Sequence, residues 1–144
     1  MASIQDIAEC FIFLSKENGN EYITPTKIQK LLYYAQGYHF KFQGEFLFPE
    51  EMIAISNGPF NIDIHNKYKK FKFLSIQDEV SSSMLFSIKK EELKTIEYVF
   101  SKLGHLDGKT LEELVNQENP LLNTNLNDVI TKDLIRNYFL KSVL

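Results

Sequence analysis

Apolar side chains recur along most of this chain at helical rather than strand spacing. Ile4, Ile7, Ala8, Phe11, Ile12 and Leu14 fall mostly three and four residues apart, the repeat that gathers side chains on one face of a helix. Ser3 stands where an N-cap belongs, and Asn18-Gly19-Asn20 ends the pattern. A second stripe, Ile28, Leu31, Leu32, Ala35, His39 and Phe42, opens on Thr24 as cap and Pro25 at the first helical position, and Gly44 closes it. Gly37 inside this helix costs about 1 kcal/mol relative to Ala, which predicts a close approach by another element.

Over residues 45–60 the helical period is lost, so Met52 to Ser56 predicts a short strand and Asn57-Gly58-Pro59 a turn. Asn61 then caps a helix with Ile64, Tyr68 and Phe71 on one face and Lys67, Lys69, Lys70 and Lys72 around the rest. Residues 73–87 are weakly patterned, with Ser81-Ser82-Ser83 as an exposed turn and Met84 to Ser87 as a second short strand. A long helix follows from Lys90 to Leu103, burying Leu93, Ile96, Val99, Phe100 and Leu103 and ending at Gly104. After an Asp107-Gly108 turn, Thr110 and Glu113 have capping-box spacing ahead of Leu111, Leu114 and Val115, and Asn119-Pro120 is the stop. Thr131 caps a last helix that turns Leu134, Ile135, Tyr138 and Phe139 inward. The predicted fold class is mainly α: a single compact helical domain over residues 1–144, of about six helices, with a small β element in the middle.

Composition sharpens this picture. A chain of 144 residues with 44% hydrophobic and 24% charged residues has the balance of an ordinary globular domain. The absence of Trp leaves twelve Phe and seven Tyr to supply the aromatic core. A net charge of −3 argues against a protein that holds nucleic acid through its phosphates, since that binding rests on a basic excess. A lone cysteine, Cys10, suits a buried thiol in a reducing cytoplasm. Neither a signal peptide nor a membrane span is expected, because no basic region leads into an apolar run and no apolar stretch approaches ~20 residues.

Candidate chemistry is sparse. His39, His65 and His105 lie on different predicted elements and in no ligand spacing, so no metal or cofactor is expected. Gly108-Lys109-Thr110 carries the ending of a phosphate-binding loop, but Leu103 occupies the position of its first glycine. The run from Asn66 to Phe73 interleaves lysines with aromatics, as single-strand nucleic-acid sites do and as a solvated amphipathic helix does. No catalytic residue is assigned, and the chain does not read as an enzyme.

The stretch Lys30-Leu-Leu-Tyr-Tyr-Ala-Gln-Gly-Tyr-His39 resembles the signature helix of the Panacea domain family, with Tyr38 where that family has Trp. Gly44-Glu-Phe-Leu-Phe48 and Ala54-Ile-Ser-Asn-Gly-Pro-Phe60 are similar to its following turns, and Leu114-Val-Asn-Gln-Glu-Asn-Pro-Leu121 to its late Leu-Thr-His-x-Glu-x-Pro-Trp motif, with Asn116 in place of the His. The resemblance implies an antitoxin from a group often found in bacterial and phage-related toxin–antitoxin pairs. It also implies a cytoplasmic protein whose partner is a protein toxin, encoded by an adjacent gene, and which it neutralises by direct binding.

On this reading Tyr33, Tyr34 and Tyr38, wherever exposed, and Lys67, Lys69 and Lys70 are the candidate partner-binding residues. Gln36, Gly37, His39, Gly58, Pro59, Tyr68, Asn116, Glu118 and Pro120 are motif positions with structural roles. Nucleic acid and membrane are not expected partners, and a homo-oligomer is left open. The competing functions are an adaptor that delivers a bound protein to a protease, a nucleic-acid-binding regulator working through the lysine helix, and an uncharacterised hydrolase.

Overall fold

Ser3, Thr24, Asn61 and Thr131 each accept the backbone N–H three residues on, from Asp6, Lys27, Ile64 and Leu134. These caps start α1 (Ile4–Asn18), α2 (Pro25–Gln43), α3 (Ile62–Tyr68) and α7 (Lys132–Lys141) in a computed structural model that describes residues 1–19 and 22–142. Asn20, read as part of the stop after the first helix, lies outside the described residues. Gly19 and Gly44 take the left-handed conformation that ends α1 and α2. The remaining helices are α4 (Lys90–Leu103), α5 (Gly108–Val115) and the short α6 (Asn119–Leu122), and β1 (Ile53–Ile55) pairs with β2 (Gly58–Phe60) in mid-chain. The described residues are mainly helical with one small hairpin, as the hydrophobic pattern predicts.

The middle and the C-terminal third correct the local reading in four places. The hairpin partner of β1 is Gly58–Phe60, which the sequence suggested as a turn, and the turn is Ser56-Asn57. Proline is tolerated in β2 because Ala54, opposite Pro59, sends its N–H to Asp128 O at 3.0 Å and accepts from Asn127 N–H at 2.7 Å, so Pro59 faces no ladder donor or acceptor. Met84 to Ser87 is not a strand but part of a 3-10 helix, Ser82–Ser87, capped by Ser81. α5 is capped by Asp107, whose carboxylate takes the Thr110 N–H at 2.8 Å, so Thr110 is in the first turn and not at the cap. Asn119-Pro120 does not stop a helix; it opens α6, where proline's missing N–H is harmless.

α2 is the axis of the molecule. Every residue from Lys27 to Gly37 is buried, and α1, α3, α4, α5, α7 and β2 all pack against it. A helix buried on all sides must satisfy its own polar side chains internally. Gln29 does so by exchanging two 2.9 Å hydrogen bonds with the Asn61 main chain, as a neighbouring strand would. Gln36, seven residues on, accepts the N–H groups of Leu47 and Phe48 at 2.7 and 3.1 Å and donates to Phe48 O at 2.8 Å. Lys27 donates to Gly104 O. His39 Nδ1 lies 2.8 Å from Thr95 Oγ1, which itself donates to Glu91 O at 3.3 Å; the imidazole proton therefore sits on Nδ1, and the buried Nε2 has no hydrogen-bond partner among the described residues. Burial depresses the His39 pKa, keeping the ring neutral.

Gln36→Leu keeps most of the volume but strands two N–H groups and one carbonyl of the 47–48 segment. It is expected to lower stability by about 2 kcal/mol, read as a shifted urea midpoint at unchanged slope. A midpoint at or above that of the wild type would show that these amides do not depend on Gln36.

Candidate functional site

Four tyrosines converge on Phe139 of α7. Its ring meets Tyr33, Tyr34, Tyr38 and Tyr138 edge-on at centroid distances of 5.6, 6.1, 5.0 and 5.1 Å, geometries favoured by the ring quadrupoles. The ring also lies against Gly37, where a Cβ would come within 2.1 Å of it. Above this cluster Glu118 accepts the Tyr33 hydroxyl at 3.0 Å and the Tyr34 hydroxyl at 2.6 Å, one on each oxygen, with Tyr138 contributing a further hydrogen bond. Burial raises the Glu118 carboxyl to about 7 against the pull of those hydroxyls, while burial and the Glu118 charge raise Tyr33 and Tyr34 and push Tyr138 up to about 12. A cleft of about 360 Å³ opens beside the cluster, lined by Tyr34, Tyr38, Glu118, Asn137, Tyr138 and Ser142 among others. With both oxygens engaged, Glu118 works as a knot tying α2 to the start of α6 and to α7.

This placement decides what the tyrosines can offer a partner. Tyr33 and Tyr34 are buried and Tyr38 is half-buried between Phe42, Tyr98 and Phe139, so the exposure on which their partner role depended is absent at the first two. Pro120 is buried, and Tyr68 is buried with its hydroxyl accepting from Gln5 at 3.0 Å. Asn116 donates to Ser56 O at 3.2 Å, holding the hairpin turn against the end of α5. Gly58 has φ +118 and Val115 3.1 Å from where its Cβ would stand, so both its conformation and its packing require glycine. Cys10 is buried and its thiol pushed up to about 12 by burial and by Glu97, a protonated, unreactive state.

The lysine run divides by direction. Lys67 lies 4.0 Å from Glu9 and Lys70 3.6 Å from Asp78, and each ammonium sits over the ring of its neighbour, Tyr68 or Phe71. Lys69 and Lys72 instead line a second cleft beside the first turn of α2. Immediately after them the chain presents Phe73 and Leu74, 83% and 65% exposed, which with Tyr22, 74% exposed, and Phe71 form an apolar groove. Three large apolar side chains this exposed and this close together make an apolar patch that water solvates at a cost. The sequence reading took Phe73 only as the end of the lysine run and missed Tyr22 and Leu74; the signal at Phe73-Leu74 was an apolar pair following a lysine run and fitting no helical or strand period.

Among the described residues no group of three His, Cys, Asp or Glu side chains is placed to hold a metal ion, and no helix is long and apolar enough to cross a membrane. A family model described as antitoxin SocA-like, Panacea domain, matches residues 28–120, a span that takes in Tyr33, Tyr34 and Glu118 of the knot, the lysine run and the Phe73-Leu74 pair. No curated protein and no solved structure matches the chain.

Proposed function

The chain belongs to the SocA-like Panacea family of antitoxin domains, and from that premise we propose that it neutralises a toxin protein by occupying it, without chemistry of its own. The observation that carries this reading is the exposed groove of Tyr22, Phe71, Phe73 and Leu74 beside the Lys69 and Lys72 ammonium groups. Such a surface suits a partner that buries apolar side chains against the groove and sets carboxylates on its basic edge. The pairing of Lys67 and Lys70 with Glu9 and Asp78 engages two of the four lysines of the run, which with a net charge of −3 favours a protein partner over a nucleic-acid backbone.

The test is growth of cells expressing each adjacent open reading frame with and without this protein, followed by co-purification of any toxic pair. Rescue together with a stable complex supports neutralisation by binding; a toxic neighbour that is neither rescued nor bound counts against it. Because Phe73 and Leu74 are exposed, Phe73→Ala and Leu74→Ala leave the core intact. Each is expected to weaken the complex tenfold or more and to abolish rescue at low expression. Wild-type affinity in both variants would move the contact elsewhere.

A further inference from the structure

Of the polar side chains on buried α2, Lys30 has no hydrogen-bond or ion-pair partner among the described residues, although it is only 1% exposed. A buried ammonium without a counter-charge is costly, and nothing in the packing of the helix requires one there. Lys30 forms part of the wall of the cleft that also takes Lys69 and Lys72, a cavity of about 240 Å³ whose other walls include Thr26, Pro59, Phe60 and His65. Thr26 is the second residue of a nineteen-residue helix; Pro25 before it has no N–H, and the Lys27 and Ile28 N–H groups are taken by the Thr24 side chain and carbonyl, so the Thr26 N–H is the one donor left at this positive end of the helix. The nearby carboxylate whose charge acts on Lys30, that of Glu112, is engaged by Asn57 Nδ2 at 3.0 Å and lies beyond ion-pair distance. Three lysines, the Thr26 N–H and an aromatic wall thus line a cavity of the size of a small anionic group on an apolar stem.

We propose that this cleft is an oxyanion-binding site, with Lys30 at its base, Lys69 and Lys72 at its rim and the start of α2 behind it, taking a carboxylate or phosphate monoester carried on an apolar body. The burial that depresses the Lys30 pKa is the cost of holding the charge in readiness. Bound oxyanion supplies the missing counter-charge. The assignment shares Lys69 and Lys72 with the toxin reading but does not rest on it, because the chain alone is sufficient to test it.

The experiment titrates the full chain with sodium phosphate, and separately with sodium acetate, against sodium chloride at matched ionic strength. The readouts are the thermal midpoint and the amide resonance of Thr26. Saturable movement of both by phosphate or by acetate is expected, and whichever anion acts identifies the oxyanion class. Lys30→Met is expected to raise the midpoint in chloride, since an unpaired buried charge is removed, and to weaken anion binding tenfold or more. That combination separates a site from the general stabilisation that phosphate gives any protein. Should Lys30→Met fail to fold, the exposed variant Lys69→Ala decides, with a several-fold loss of binding expected. The proposal is overturned if neither anion moves Thr26 saturably, or if the variant that folds binds as the wild type does.

Discussion

Gly37→Ala is expected to destabilise the protein by about 3 kcal/mol, although the same change in an exposed helix would stabilise it by about 1 kcal/mol through helix propensity. The added Cβ would stand 2.1 and 2.2 Å from two ring carbons of Phe139, far inside van der Waals contact. The ring cannot retreat cheaply, because Tyr33, Tyr34, Tyr38 and Tyr138 already surround it at 5.0 to 6.1 Å between centroids. Overpacking therefore outweighs propensity, and α2 and α7 must part. The matching observation is rescue: in a double-mutant cycle by urea unfolding, Phe139→Leu costs stability in the wild type but recovers part of the loss in Gly37→Ala, a coupling of about 1 kcal/mol or more. Additive losses, or a Gly37→Ala protein as stable as its parent, would mean that the helices do not meet this closely in solution.

Stability is expected to fall as pH rises from about 5 to 8, by about 2 to 3 kcal/mol attributable to Glu118 alone. Its ordinary carboxyl value is near 4.5, and in the folded chain burial raises it to about 7. Between those values the folded protein holds a proton that the unfolded chain has released, so the contribution is complete below the unfolded value and is lost as pH passes through the folded one. The tyrosine hydroxyls of the knot reduce the loss but do not cancel it, because desolvation is the largest influence on the carboxyl. Glu118→Gln removes the titrating group and keeps an acceptor for one tyrosine. The difference between wild type and variant across the pH range isolates the effect from other titrating groups. A flat difference would show that Glu118 is solvated enough to titrate normally.

The two predictions concern residues that the sequence marked for a reason it did not contain. Gly37 stood out as a glycine inside a helical stripe, and a close neighbour was anticipated; that the neighbour is Phe139, 102 positions away by number, is a fact of packing. Glu118 was marked by a motif, and its raised carboxyl became visible only once Tyr33, Tyr34 and Tyr138 were seen around it. Tyr33 and Tyr34 were interface candidates wherever exposed and are instead buried donors to Glu118, while the exposed aromatics of the groove, Tyr22 and Phe73, lie outside the recognisable motif helix.

By itself the sequence determined the helices and most of their ends, because caps such as Ser3, Thr24, Asn61 and Thr131 act on amides three residues away and the apolar stripes repeat every three or four residues. It also determined the family, whose signature is a run of adjacent residues. Tertiary structure alone decided that α2 is enclosed on all sides. Its apolar stripe reads as one face and leaves Lys27, Gln29, Lys30 and Gln36 off it, whereas Gln29 and Gln36 find main-chain partners at Asn61 and at Leu47 and Phe48, Lys27 reaches Gly104, and Lys30 lines a cleft. A polar side chain on a helix looks the same in sequence whether water or a distant backbone satisfies it, and only the packing of the other helices around α2 excludes the water.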